Sequence, residues 1–312
     1  MALTFTMAME IISGDVMNDQ VQRFLEYIRT ERNYSDLTEK NYLLDLEQFE
    51  EYLTINSLNY KRLTYKDISI YTGFLKEKER LKSSSINRHL SALRSFYDFL
   101  LNREVISTNP FKLIKGPKCD KKLPNYMKYS EFEEMIEACE NTPLGIRNKA
   151  LLELLLATGA RIGELIKINI QDIDFANKQI KVLGKGNKER ICYFNEHCYT
   201  ALENYLNNSR NILLKNKKSD RLFINHLGGD LTDRGVRDIL DKIIKKCSLK
   251  NKVTPHTFRH TFATMLLNEG CDLKSVQELL GHVNLSTTSI YTHVTNDRIK
   301  DIYLHTHPRS KK

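Results

Sequence analysis

The chain has 312 residues, 41% of them hydrophobic, enough for two domains with their own cores and too apolar for a disordered polyelectrolyte. A formal charge of +9 favours a polyanionic partner such as nucleic acid. The six cysteines (119, 139, 192, 198, 247 and 271) form no C-x-x-C pair and fit reduced, mostly buried thiols, and no apolar run approaches the roughly 20 residues of a membrane span, so the expectation is a cytoplasmic protein without membrane insertion.

Residues 1–16 lack a basic n-region and meet Glu10 and Asp15 early, which argues against a signal peptide. They are expected to form a flexible N-terminus, with the start open among Met1, Met7, Met9 and Met17. A first domain is assigned to residues 17–113. Val21, Phe24, Leu25 and Ile28 predict an amphipathic helix over 18–34, and Tyr42, Leu43, Leu46, Phe49 and Leu53 a second over 37–54. Thr64 with Asp67 marks the capped start of a third helix over 65–79. A fourth runs from Ser83 to Leu101 on a stripe of Ile86, Leu90, Leu93, Tyr97 and Leu100. Four helices with short joints imply a compact bundle.

Charge is uneven along this stretch. Residues 1–50 carry 4 Lys/Arg against 10 Asp/Glu, whereas residues 51–124 carry 15 against 7. The fourth helix has no acid between Lys82 and Tyr97, and its polar face holds Asn87, Arg88, Ser91, Arg94 and Ser95, groups that contact phosphates and base edges. An ordinary solvated face would account for that helix alone; the missing acids favour DNA. Residues 114–125, with two prolines and four lysines between 115 and 124, cannot continue a helix and are read as a basic linker, in which Lys115 and Lys118 are candidate DNA contacts.

The second domain, residues 126–312, opens with predicted helices over 130–139 and 146–157. The latter is apolar nearly all round and should be deeply buried, with Gly159 as its C-cap. Arg161 follows at what reads as a buried junction, where an arginine needs a partner, and Glu164 three residues on can hold it. Period then changes: D-I-D-F, Q-I-K-V-L and R-I-C-Y-F predict a small antiparallel sheet whose last turn, G-K-G-N-K, carries Lys185 and Lys188 at a hairpin tip. The turn is followed by a strand, so it is no P-loop. Helices over 197–215 and 232–247 come next, joined by a short strand and turn.

The stretch from Thr254 to Val294 carries the chemistry. Thr254 suits an N-cap and Pro255 the first helical position, which puts His256 in the first turn and Arg259 on the same face, opposite Phe258, Phe262, Met265 and Leu266. Asp272 caps the next helix, Gly281 ends it, and His282 follows. Tyr291 stands nine residues after His282, in a third short helix capped by Ser286. A guanidinium grips a phosphate bidentately, histidines can assist proton removal from a phenol, and a lysine such as Lys185 can protonate a departing deoxyribose oxygen. Arginines and histidines aimed at one phosphate would stabilise the charge of a pentavalent transition state without a metal. His256 and His260 form an H-x-x-x-H pair, but Thr257 stands where a zinc hydrolase helix has Glu, so no metal is assigned; His260 and His293 read as structural.

The segments A-T-G-A-R-I-G-E-L, G-K-G-N-K, H-T-F-R-H-T-F-A-T, L-L-G-H and S-T-T-S-I-Y-T-H-V resemble the motif series of the tyrosine recombinases, most closely the Xer type, and the likeness runs from about residue 18. The resemblance implies a mainly α fold with a small antiparallel sheet, in which an N-terminal four-helix, SAM-like core-binding domain precedes a mixed α/β catalytic domain. It further implies that Tyr291 attacks the scissile phosphate to form a 3′-phosphotyrosyl link, that Arg161 and Arg259 clamp the non-bridging oxygens, and that Lys185 protonates the leaving 5′-oxygen. His256 would take or relay the phenol proton, His282 would donate a hydrogen bond to the phosphate, and Glu164 would support Arg161. Implied partners are a double-stranded recombination site and a homotetramer, or a heterotetramer with a related recombinase, acting on two duplexes. An activating DNA translocase is a further possible partner. No cofactor is implied, the helix after Tyr291 would dock onto a neighbouring protomer, and the role would be resolution of chromosome or plasmid dimers. The alternatives are an integrase or excisionase of a mobile element, a basic DNA-binding protein without catalysis, and a metal hydrolase built on His256 and His260.

Overall fold

The computed structural model describes residues 17–32, 34–118, 126–184, 189–247, 249, 253–281 and 293–310, the last of these with side chains from residue 298. The chain divides into two compact units, residues 1–121 and 122–312. No helix among the described residues is long and apolar enough to cross a membrane.

The first unit contains α1 (residues 17–30), α2 (Asp36–Ile55), α3 (Tyr65–Glu77) and α4 (Ser83–Asn102). Their predicted stripes converge on one core in which Phe24, Ile28, Leu46, Phe49, Ile68, Leu90, Leu93 and Leu100 are buried together. Phe24 meets Phe96 edge to face at 5.4 Å between ring centres. α1 stops four residues before the predicted end, because Ser35 turns outward to cap α2, accepting from Thr38 N at 3.4 Å. Thr64 and Asp67 form the predicted capping box at the start of α3.

The second unit is organised on α6 (Pro143–Thr158), in which Leu151, Leu152, Leu154, Leu155 and Leu156 are all buried. It starts earlier than the predicted 146, since Thr142 accepts from Gly145 N at 3.2 Å and Pro143 takes the first helical position. Gly159 ends it with φ +58°, and a Cβ there would lie 2.7 Å from the Phe262 ring and 2.9 Å from Leu280. The glycine is therefore required both by its left-handed backbone and by the close approach of two later helices.

Around α6 lie α5 (Tyr129–Glu137), the one-turn α7 (Ile162–Leu165) and the sheet β1 (Ile173–Asp174), β2 (Gln179–Leu183) and β3 (Glu189–Tyr193), antiparallel in that order. The β2–β3 register pairs Ile180 with Cys192 and Val182 with Arg190. Alternation sends Ile180 and Val182 into the core and Lys181 outward. α8 (Glu196–Tyr205) continues through a π turn at Leu206–Arg210 into α9 (Asn211–Leu214). At the turn, buried Arg210 donates to the carbonyls of Ser219, Arg221 and Leu222. α10 (Asp233–Cys247), α11 (Pro255–Asn268), α12 (Leu273–Leu280) and α13 (His293–Thr306) follow.

The tail is built into the second unit of the isolated chain. α13 packs within its own unit, Ile299 and Tyr303 joining Phe262, Leu266, Leu279 and Tyr193. Beyond it, Arg309 reaches Glu153 of α6 at 2.9 Å, both side chains buried, with its guanidinium over the Phe132 ring. A desolvated ion pair, once formed, is costly to break because each partner would be left as an uncompensated charge, and this holds the segment in place.

His307 is fully buried between the Phe262 and Tyr303 rings, and burial lowers its pKa to about 4. Above the unfolded value near 6.5 both states are neutral and the site's stability is fully present. As pH falls from 6.5 towards 4 only the unfolded state gains the proton, so stability is lost, by roughly 3 kcal/mol once both values are passed. Burial raises the Glu153 carboxyl and acts in the opposite sense. The readout is thus the difference between wild type and His307→Gln in the thermal midpoint from pH 7 to 4, which should shrink as pH falls. A constant difference would show that His307 binds its proton equally in the folded and unfolded states.

Candidate active site

The site grows from the junction of α6 and α7. Arg161 is not buried as the sequence suggests; its side chain is 45% exposed. The helix has already stopped at Gly159, so Ala160 fills the buried position and Arg161 becomes the N-cap of α7, free to project outward. Its backbone N–H donates to Glu164 Oε2 at 2.9 Å and its Nη1 to Glu164 Oε1 at 2.8 Å. Glu164 itself is buried. Burial works to raise its carboxyl, but hydrogen bonds and charge from Arg190 and Arg161 outweigh this and hold the pKa below the usual glutamate value, so it stays ionised.

Arg259 projects from α11, whose start is built as expected. Thr254 and Thr257 bond each other reciprocally, Thr257 N to Thr254 Oγ1 at 3.3 Å and Thr254 N to Thr257 Oγ1 at 3.0 Å, with Pro255 in the first turn. Arg259 Nη1 donates to Gly159 O at 2.8 Å and Nη2 to Leu280 O at 2.7 Å. One guanidinium thus ties the C-terminal ends of α6 and α12, where carbonyls carry partial negative charge. Burial, then the positive charge of Arg161, lowers its pKa to about 10, still a cation at neutral pH. Among the described residues two of its five donors serve these carbonyls, so the others can face a ligand.

His256 sits exposed in the first turn of α11, one turn before Arg259. His260 is half-buried and has no hydrogen-bond partner among the described residues. Asp272 caps α12 by accepting from Ser275 N at 3.0 Å, and Gly281 ends it with φ +66°. Lys185, Lys188, His282 and Tyr291 lie outside the described residues. The structure therefore brings together Arg161, Glu164 and Arg259, with His256 on the same helix as Arg259.

It adds Arg190, which the sequence reading passed over as part of a strand. Its Nη2 donates to Glu164 Oε2 at 2.9 Å. The signal was period two: Arg190 shares the inward face of β3 with buried Cys192, where an arginine is out of place.

In the first unit, the candidate DNA contacts on α4 have internal partners. Arg88 Nη1 bonds Asp45 Oδ2 and, at 3.2 Å, Asn41 O. Asp45 Oδ1 faces His89 Nδ1 at 3.1 Å, and His89 Nε2 shares a 2.6 Å hydrogen bond with Tyr71 OH. Arg94 donates to Phe111 O at 3.3 Å and Ile114 O at 3.0 Å, and Asn87 to Pro117 O at 3.0 Å. Ser91 Oγ returns to Asn87 O at 2.8 Å. The polar face of α4 thus also anchors residues 111–117, so the start of the predicted linker lies folded on the helix. Lys115 and Lys118 are at its end, both exposed.

With this geometry in view, the family comparisons are specific. The model of the phage integrase family matches residues 125–298, and that of the phage integrase N-terminal SAM-like domain matches residues 21–104. The chain is 44% identical over 298 residues to a tyrosine recombinase XerC of Anoxybacillus flavithermus, covering 94% of this chain and 99% of that one. It is 44% identical over 296 residues to the tyrosine recombinase XerC of Bacillus subtilis, covering 94% and 97%. Among solved structures it is similar to the XerH site-specific recombinase bound to palindromic difH substrate in a post-cleavage complex, with a TM-score of 0.67, 25% identity and 92% and 82% coverage. Two family matches that account for both units, and relatives aligned from end to end, place this chain in the phage integrase family as a tyrosine site-specific recombinase.

Proposed function

We propose that this protein cuts and rejoins DNA at a specific site through a 3′-phosphotyrosyl intermediate, in the resolution of chromosome or plasmid dimers. The observation that carries the chemistry is the convergence of Arg161 and Arg259 beside the buried carboxylate of Glu164. Two fixed cations in a partly desolvated site are complementary to the charge that builds on a phosphate in its pentavalent state. In the proposed reaction the Tyr291 oxygen bonds to phosphorus and the bond to the 5′-oxygen breaks. The phenol proton passes to His256, Lys185 supplies a proton to the leaving 5′-oxygen, and His282 donates a hydrogen bond to the phosphate. The ester to tyrosine conserves the energy of the phosphodiester, so rejoining reverses the step without ATP.

The proposed assembly is four protomers on two duplexes in the cytoplasm, homomeric or shared with a related recombinase, with a DNA translocase as activator. The dimer-resolution role is supported by the XerC names of the relatives. The test is to incubate the full chain with a pool of nicked duplexes in a chelator and to recover DNA that stays bound after denaturation. One sequence class joined to protein through its 3′-phosphate is expected. DNA retained only before denaturation would indicate a binding protein without catalysis, and adducts that vanish in the chelator would indicate metal-dependent chemistry.

A further inference from the structure

Arg190 has no part in the reaction just described, yet its position is difficult to explain by stability. Its side chain is only 15% exposed, and among the described residues its buried Nε has no hydrogen-bond partner. An apolar residue on that inward face of β3 would avoid the desolvation of a guanidinium, so packing alone does not account for the arginine. Two contacts indicate what. First, Arg190 takes Glu164 Oε2, the oxygen that also accepts the Arg161 backbone N–H, and so leaves Oε1 to orient the Arg161 guanidinium. Second, its side chain lies against Gly281: a Cβ there would stand 2.8 Å from Arg190 Cδ and 3.1 Å from Nε. Gly281 is the αL residue at which α12 ends.

We propose that Arg190 is a positioning residue for DNA cleavage, a buried strut between the carboxylate that presents Arg161 and the turn that ends α12. Without it, Glu164 would keep only the bonds from Arg161 itself, its backbone N–H to Oε2 and its half-exposed guanidinium to Oε1, and would lose its tie to β3, which lets the carboxylate and the phosphate clamp shift together. Glu164 and Arg190 lie 26 residues apart, and the strut exists only when β3 is paired in register. The proposal rests on the reading of Arg161 as a phosphate clamp.

The experiment is a double-mutant cycle on the full chain, measuring single-turnover cleavage of a nicked suicide substrate and, separately, DNA affinity. Arg190→Met should slow cleavage by about 10- to 100-fold at unchanged affinity, the usual loss when a group supporting an active-site side chain is removed. Arg190→Lys, which keeps a cation near Glu164, should recover part of that rate. In the Arg161→Ala background, Arg190→Met should cost little more, because its effect runs through Arg161. Multiplicative losses in the double variant, or a wild-type rate in Arg190→Met, would overturn the proposal. A wild-type rate in Arg161→Ala alone would instead remove the clamp reading, and this inference with it. If Arg190→Met fails to fold, the same cycle with Arg190→Lys decides: its loss must disappear in the Arg161→Ala background.

Discussion

Phenylalanine at position 291 is expected to abolish covalent protein–DNA adducts on a nicked suicide substrate while leaving DNA binding close to that of the wild type. The substitution removes one oxygen and keeps the ring, so little else changes. A phenol with a pKa near 10 is a poor nucleophile in water and becomes useful only beside groups that accept its proton and neutralise the phosphate. The proposed surroundings (Arg161, Arg259, His256, His282 and Lys185) would remain, and they bind the phosphate whether or not the attacking oxygen is present. Electrophoretic mobility before denaturation reports binding, and retention after denaturation reports the adduct. Adducts that persist in this variant would assign the nucleophile to another residue.

Alanine at position 259 should slow cleavage by about two to three orders of magnitude, or about 2.7–4 kcal/mol, the loss typical of removing one donor from a preorganised site for developing negative charge. The expectation for Arg161→Ala is similar in rate but not in stability. Arg161 is half-exposed and, among the described residues, bonds within its own turn. Arg259 also ties the ends of α6 and α12 through Gly159 O and Leu280 O. Its removal leaves both carbonyls without their charged donor, so Arg259→Ala should lower the thermal midpoint as well as the rate. Arg259→Lys should restore little, because an ammonium cannot reproduce a planar fork that spans two carbonyls and still faces a phosphate. Cleavage at the wild-type rate in either alanine variant would remove that residue from the clamp. A rate loss in Arg259→Ala that disappears when stability is restored by lower temperature would assign it a scaffolding role.

Much of this protein could be read from neighbours a few positions apart. Thr64 with Asp67, Thr254 with Pro255, Asp272 with Ser275, and the glycines 159 and 281 act through bonds and dihedral angles within one helical turn, so their spacing alone announces where helices begin and end. The strand stripes of β2 and β3 and the apolar girth of α6 are equally local, and the order of Arg161, Lys185, His256, Arg259, His282 and Tyr291 carried the family likeness. Partner choice is a different matter, since it depends on which surfaces meet after collapse. Nothing near Arg259 in the chain points to Gly159, 100 residues away, nor does anything near Arg309 point to Glu153, 156 residues away. Arg161 was expected in the interior because it follows an apolar helix, but the end of α6 places Ala160 there and turns Arg161 outward. Arg88, Arg94 and Asn87 look like one solvated face of α4, yet the fold supplies each with a partner from α2 or from residues 111–117. Arg190 is the sharpest case: alternation along β3 put a charge on an inward face, but only the paired sheet shows that Glu164 receives it.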